Sequence, residues 1–235
     1  NAKRSSSRAA YISKIVADRQ NINLSQINVR HINVGTELNS ITFIANHLSD
    51  DNNYPLELKI RNTNLDSGDP SNFLQDEFQP KVNFPVIFSS ISPALVTHIG
   101  NPEKFYFGGI NIQQVSEVQF SRNLILSSEI NVRVDDNFKD TVSGPGSNME
   151  HVRTDLVQYL KEDDPTISRL QFDYIWSPYK DLYSKISAGM FESMFGGIGG
   201  EILYKPFNRN FNIGLELFKV RQRSFEQRFK FQEYE

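Results

Sequence analysis

Residues 123–136 read NLILSSEINVRVDD. Leu124, Leu126, Ile130, Val132 and Val134 share one parity, and Ser127, Glu129, Asn131, Arg133 and Asp135 share the other. A period of two is that of a β-strand with one apolar and one polar face. The pattern returns in 170–177, where Leu170, Phe172, Tyr174 and Trp176 oppose Gln171 and Asp173. It continues after the turn SPYKD in 182–190, where Leu182, Ile186, Ala188 and Met190 oppose Lys185, Ser187 and Gly189. Two alternating runs joined by a turn predict a hairpin. Residues 211–218 repeat the pattern with Phe211, Ile213, Leu215 and Leu217, and 105–112 repeat it more weakly with Tyr106, Ile110 and Ile112.

The amino-terminal part has a different period. In 7–20, SRAAYISKIVADRQ, the residues Tyr11, Ile12, Ile15 and Val16 form a helical stripe, and Arg8, Lys14, Asp18 and Arg19 make a polar face. Strands follow at 26–34 and 40–44, with PLELKI (55–60) as a third, which predicts a small α+β unit over 1–62. Residues 63–84, rich in Asn, Asp, Ser, Gly and Pro, read as a linker or loop. Beyond it, 85–235 reads as one antiparallel sheet. The long stretch between Asp135 and Ile167 carries SGPGS and then Val152, Leu156, Val157 and Leu160 at helical spacing, a short helix inside a large loop. An apolar face on such a sheet is the core of a soluble sandwich or the lipid-facing wall of an outer-membrane barrel, and alternation does not choose between them.

Composition narrows the classes. The 235 residues carry a formal net charge of -3 with no basic block, which argues against a nucleic-acid partner. Cysteine is absent, so disulfides, thiol nucleophiles and Cys-ligated zinc are excluded. No run of 18 apolar residues occurs, yet barrel strands need only about 9–11 residues of alternating character, so a mean hydropathy of -0.45 leaves a barrel open. The chain begins at Asn1 and stops in FQEYE without a turn or capping signal, which predicts a piece of a longer protein, one that need not include any signal peptide.

Candidate chemistry starts at 194–204, MFGGIGGEILY. After Gly197 and Gly199 the third position of a dinucleotide fingerprint is Ile202, and Lys205 is followed by Pro206 rather than Ser or Thr, so neither nucleotide-binding motif is present. Glu201 would also repel a phosphate. The four histidines, His31, His47, His98 and His151, lack zinc spacing, and DDNFKD and NLDSGD lack the Gly and Glu of a calcium loop. There is no G-x-S-x-G elbow. Glu192 and Glu201 flank the glycines, and glycosidases need two carboxylates about 5–10 Å apart, though charges on one face of a sheet are equally those of a solvated surface. No metal, cofactor or catalytic residue is expected.

Several segments resemble the YjbH/GfcD family of exopolysaccharide-biosynthesis outer-membrane proteins: HVRTDLVQYL, then RLQFDYIWSPYKDLYSKISAGMFESMFGGIGGEILYKPF, then VRQRSFEQRFKFQEYE, with SPALVTHIGNPEKFYF upstream. The resemblance runs from about residue 85 to the end and is looser over the first 60. It implies a mainly β fold, an antiparallel outer-membrane β-barrel segment with a small amino-terminal periplasmic α+β unit. It further implies a non-enzymatic role in making or exporting a capsule or biofilm polysaccharide in a Gram-negative cell, with lipid, polysaccharide and other secretion proteins as partners. The alternative is a soluble periplasmic sandwich that binds or cleaves a saccharide. On the barrel reading Phe172, Tyr174, Ile186, Ala188, Ile198, Ile202 and Tyr204 face lipid. Asp173, Lys185, Ser187, Gly197, Gly199, Glu201 and Lys205 then face the lumen, and Asp173, Lys185, Gly197, Gly199 and Glu201 are the candidate ligand contacts.

Overall fold

The computed structural model describes residues 2–34, 36–48, 64–67, 82–99, 106–141, 153–162, 165–206 and 209–233, with the backbone alone at 2–5 and 64–67. Contacts divide the chain into two compact units. One comprises Asn1–Pro80, Ile175–Ser184 and Ile202–Gly214; the other comprises Lys81–Tyr174, Lys185–Glu201 and Leu215–Glu235. Among the described residues no helix is long and apolar enough to cross a membrane.

In the first unit, helix α1 (Ala2–Arg19) lies with β1 (Gln26–Asn33), β2 (Thr36–Ile44) and β3 (Asn64–Ser67), an antiparallel sheet in the order β1-β2-β3. Its core is Ala10, Ile27, Ile41, Phe43, Ala45 and Leu48, with Leu24 and Val29 packed against it. The helix starts at Ala2, five residues before the stretch 7–20 that the sequence predicts, and its buried stripe differs too. Ser6, Ser7, Ala10 and Ala17 are buried, whereas Ile12 and Val16 are exposed. Small side chains let the helix backbone approach the strands closely, and the Ser6 hydroxyl hydrogen-bonds the His31 ring on β1. Residues 64–67, expected in the linker, pair with β2 from Asn39↔Ser67 to Thr42↔Asn64. The strand expected at 55–60 lies outside the described residues.

Among the described residues, seven further strands form one antiparallel meander in which every neighbour in the sheet is a neighbour in the chain. They are β4 (Val86–Ile99), β5 (Tyr106–Gln119), β6 (Leu124–Asp136), β7 (Thr166–Tyr179), β8 (Leu182–Met190), β9 (Phe195–Tyr204) and β10 (Ile213–Gln222). The sheet is open: β4 and β10 are its edges. Links 120–123, 180–181 and 205–212 turn at one rim, and 100–105, 137–165 and 191–194 turn at the other. Val86 stands opposite Gln119, so the chain passes into β4 at the rim of the 120–123 turn. The opposite rim carries the longest connection, which contains α2 (Leu156–Lys161) and a 3-10 turn at Phe138–Asp140.

Strand β4 is not anticipated by the sequence. Ile87, Ile91, Leu95 and Ile99 are four apart, a spacing that fits a helix as well as a strand, and Pro93 interrupts the run. Proline is tolerated there because β4 is an edge. Strand β8 keeps Gly189 at φ +136°, where an added Cβ would stand 2.2 Å from the Leu170 carbonyl oxygen on β7. Only glycine fits both the torsion and the approach.

The first unit depends on its aromatic centre. Phe43 is 2% exposed, so Phe43→Ala is expected to cost about 3–5 kcal/mol and to admit protease into 1–48 while the sheet β4–β10 stays protected. Limited proteolysis of the variant with mass spectrometry checks this.

Candidate functional site

The polar faces of β5 to β9 are tied together by side chains across neighbouring strands. Gln113 Nε2 donates to Glu129 Oε1 at 2.9 Å, and Asn131 Nδ2 donates to Ser168 Oγ at 2.6 Å. Further along, Asp173 Oδ1 accepts from Gln171 Nε2 at 2.7 Å and from the Ser187 hydroxyl at 2.5 Å. Lys185 Nζ and Glu201 Oε1 form an ion pair at 2.5 Å, with both side chains 29% exposed. Of the five residues singled out by sequence, Asp173, Lys185 and Glu201 therefore join one hydrogen-bonded face. A partly exposed pair such as Lys185 and Glu201 contributes about 0–1 kcal/mol, so its effect is chiefly to keep two charges compatible with one surface.

Gly197 and Gly199 are accounted for by β10. A Cβ on Gly197 would lie 2.1 Å from the Lys219 carbonyl oxygen, and one on Gly199 would lie 2.0 Å from the Phe218 ring. The phenyl ring covers the bare backbone of Gly199, an aromatic cover of a strand glycine. Phe218 in turn meets Phe191 edge-on, with ring centroids 5.4 Å apart.

The carboxylates of Glu192 and Glu201 are not brought together. Glu192 is in the link before β9 and Glu201 is the seventh residue of that strand, which at about 3.3 Å per residue separates them by roughly 20 Å. Glu192 pairs instead with Arg153 at 3.0 Å.

Sequence reasoning missed the centre of the long-connection rim. Arg223, just after β10, is fully buried. Its Nη1 donates to the carbonyls of Ile167 (2.9 Å) and Glu192 (2.7 Å), and its Nη2 donates to that of Arg228 (3.0 Å). Burial draws the guanidinium down from its ordinary value to about 10, so it stays charged at neutral pH. Tyr159 of α2 donates its hydroxyl to the Arg223 carbonyl, and Gln227 Nε2 donates to the Tyr159 carbonyl at 2.8 Å. Arg133 of β6 donates to the Leu160 carbonyl at 2.8 Å. One side chain thus ties together the starts of β7 and β9 and the chain beyond β10. No periodic signal marks Arg223, Tyr159 or Gln227, because each acts once, through a long-range contact.

Between this rim and the polar face lies a cavity of about 410 Å³ whose lining includes Asn111, Gln113, Glu129, Asn131, Tyr159 and Phe191. Among the described residues no cluster of His, Asp and Glu could hold a metal ion.

Replacing Arg223 tests the rim. Arg223→Met leaves three carbonyls without their donor, at about 1–3 kcal/mol for each one left bare. Arg223→Lys keeps the charge without the fork and should lose less. Because the folded pKa of about 10 lies well above neutrality, the difference in melting temperature between wild type and Arg223→Met should be flat from about pH 6 to 8. Thermal melts at both pH values read it.

Comparison with known proteins adds the family. Residues 1–235 match the family described as "YjbH: Exopolysaccharide biosynthesis protein YbjH". The "Uncharacterized lipoprotein YjbH" of Escherichia coli (strain K12) is 29% identical over 150 residues, a stretch covering 61% of this chain and 21% of the relative. The chain therefore spans about a fifth of the length of the curated relative it matches. No solved structure matches it. Since the family match runs the full length of the sequence, through the amino-terminal α+β elements and the seven-stranded sheet alike, the chain belongs to the YjbH family of exopolysaccharide biosynthesis proteins.

Proposed function

We propose that β4–β10 are part of an outer-membrane β-barrel whose polar face lines a lumen and whose amino-terminal unit is periplasmic. The protein then serves the secretion or assembly of an extracellular polysaccharide without itself catalysing a reaction. The observation that carries this reading is the inversion of the sheet. In its interior strands the apolar face is the more open one, with Val132 45%, Phe172 44%, Ile186 53% and Ile198 61% exposed, while the polar face holds the hydrogen bonds and the buried residues Asn131, Ser187 and Phe107. Burying apolar side chains is the main favourable term in water, so a sheet that turns them outward is suited to an apolar surrounding. The strands are also long enough, from 9 to 14 residues.

Rim asymmetry supports the orientation. Outer-membrane barrels keep short turns on the periplasmic side and longer loops outside. The two tightest of the links opposite the long connection, 120–123 and 180–181, share their rim with the point where the chain passes into β4. Residues ahead of β4 then leave on the periplasmic side. Seven strands with two open edges need partners, which this proposal takes from sequence beyond the chain. Lipid, the polysaccharide and other secretion proteins are the partners the reading implies, and nucleic acid is not among them.

The test reads the two faces separately. Single cysteines at 172, 174 and 186, or at 171 and 173, carry an environment-sensitive probe in the full-length protein reconstituted in vesicles with a lipid-confined quencher. Quenching at Phe172, Tyr174 and Ile186 with sparing of Gln171 and Asp173 is expected. Absence of quenching at every position would overturn the barrel and leave a soluble saccharide-binding sandwich. On intact cells, added protease should leave residues 1–62 uncut.

A further inference from the structure

We propose that the cavity at the long-connection rim is a binding site for a neutral segment of polysaccharide chain, held through its hydroxyl groups. This deepens the reading above and rests on it for the class of ligand. The cavity, at about 410 Å³, falls within the range of about 300–1,000 Å³ of small-molecule sites. It has a floor made for hydroxyls and walls made for carbon.

The floor is a row of side chains from two paired strands. Gln113 on β5 stands opposite Asn131 on β6, and Asn111 opposite Arg133. Gln113 and Asn131 both donate to Glu129 Oε1, at 2.9 and 3.4 Å. Three amides and a carboxylate therefore present donors and acceptors at neighbouring positions, and a sugar hydroxyl is at once a donor and an acceptor. One acceptor is unused: Asn111 Oδ1 is buried without a hydrogen-bond partner among the described residues. A buried acceptor of this kind costs free energy unless a ligand or ordered solvent supplies a donor. A ligand hydroxyl supplies one directly.

The walls are aromatic and fixed beforehand. Tyr159 is clamped by its bonds to Arg223 and Gln227 and lies edge-on to Phe225 at 5.1 Å, and Phe191 is held against Phe218. Such preset walls lower the ordering cost of binding a flexible chain.

Charge selects the class within carbohydrates. The lining holds two acids, Glu129 and Glu192, and two bases, Arg133 and Arg169. Arg133 is turned to Asp136 at 3.4 Å and to the Leu160 carbonyl, Arg169 Nε faces the Phe191 carbonyl at 3.4 Å, and Glu192 pairs with Arg153. Two acids against two bases leave the lining without net charge, so a uronate or phosphate gains no net attraction there, and Glu129 would repel it. An acyl chain fares no better, since it would leave the amide row without partners.

A glycan array carrying neutral and uronic-acid oligosaccharides, probed with the full-length protein in detergent, tests the site. Retention on neutral oligosaccharides is expected, falling at least about tenfold in Asn111→Leu and in Gln113→Leu and unchanged in Ser116→Ala, which alters the opposite face. Should both leucine variants misfold by circular dichroism, a wild-type background carrying Ser193→Cys in the lining gives a second reading. Alkylation of that thiol should slow when a retained neutral oligosaccharide is added. Retention of no glycan, preference for the acidic ones, retention unaltered in folded leucine variants, or alkylation unaffected by the sugar overturns the proposal. Failure here is distinct from failure of the barrel: lipid quenching without glycan retention sinks only the site, and glycan retention by a protein that fractionates without detergent sinks only the barrel.

Discussion

A β-sheet has two faces, and a pleat that puts valine and isoleucine on one puts asparagine, glutamate and arginine on the other. In a water-soluble protein the apolar face is hidden. Here, in β5 to β9, the more covered face is the polar one, and most other features follow from that inversion. Charged and amide side chains under cover call for partners, because a buried polar group left unpaired carries its full desolvation cost. The pairs Gln113 with Glu129, Asn131 with Ser168, Asp173 with Ser187 and Lys185 with Glu201 meet that demand strand by strand. The apolar face obeys the same rule in its few polar positions: Ser89 and Ser116 stand opposite each other and share a hydrogen bond of 2.9 Å. An outward face surrounded by lipid would require such pairing, since no water would be there to replace it.

The rim chemistry is a second consequence. A sheet whose apolar face is turned outward has little apolar material left with which to hold its connecting segments. Among the described residues, Phe107, Phe138, Tyr159 and Met194 are buried apolar residues that serve this purpose near the long connection. Arg223 supplies what they lack. A guanidinium reaches several carbonyls at fixed angles, which an aliphatic side chain cannot do, and here it reaches those of Ile167, Glu192 and Arg228. Burying that charge is costly, as its lowered pKa records, so the arrangement persists only because all three acceptors are aimed at it.

Legibility in the sequence tracked how local each device is. Alternation at 124–134, 170–177, 182–190 and 211–218 is a property of neighbouring residues, and it became β6, β7, β8 and β10. Strand β5 runs further than its alternation because Gln114 and Ser116 interrupt the apolar parity, yet their backbone pairs with β4 all the same. In α1 the larger residues Ile12 and Val16 suggest a buried stripe, because volume signals burial on average, whereas the buried positions are the small Ala10, within the core, and Ala17. The polar parity of Asp173, Lys185 and Glu201 was readable; their particular partners were not, since register between strands depends on link lengths and bulges, such as the one between Glu129 and Ile130.

The glycines of β9 show how these levels meet. Read alone, MFGGIGGEILY is an ambiguous run, compatible with a phosphate loop or a thinned strand. Its neighbour across the sheet decides. The Phe218 ring lies where a side chain on Gly199 would be, and the Lys219 carbonyl lies where one on Gly197 would be, so the missing side chains make room for the adjacent strand. That close approach sets the ring of Phe218 against Phe191, and Phe191 is a wall of the cavity. The glycine run therefore bears on the site through an aromatic relay, with no ligand contact of its own required. Its sequence is constrained at Gly197 and Gly199 by the backbone and ring of β10, while Glu201, past the last point of close approach, is free to carry a charge and pair with Lys185.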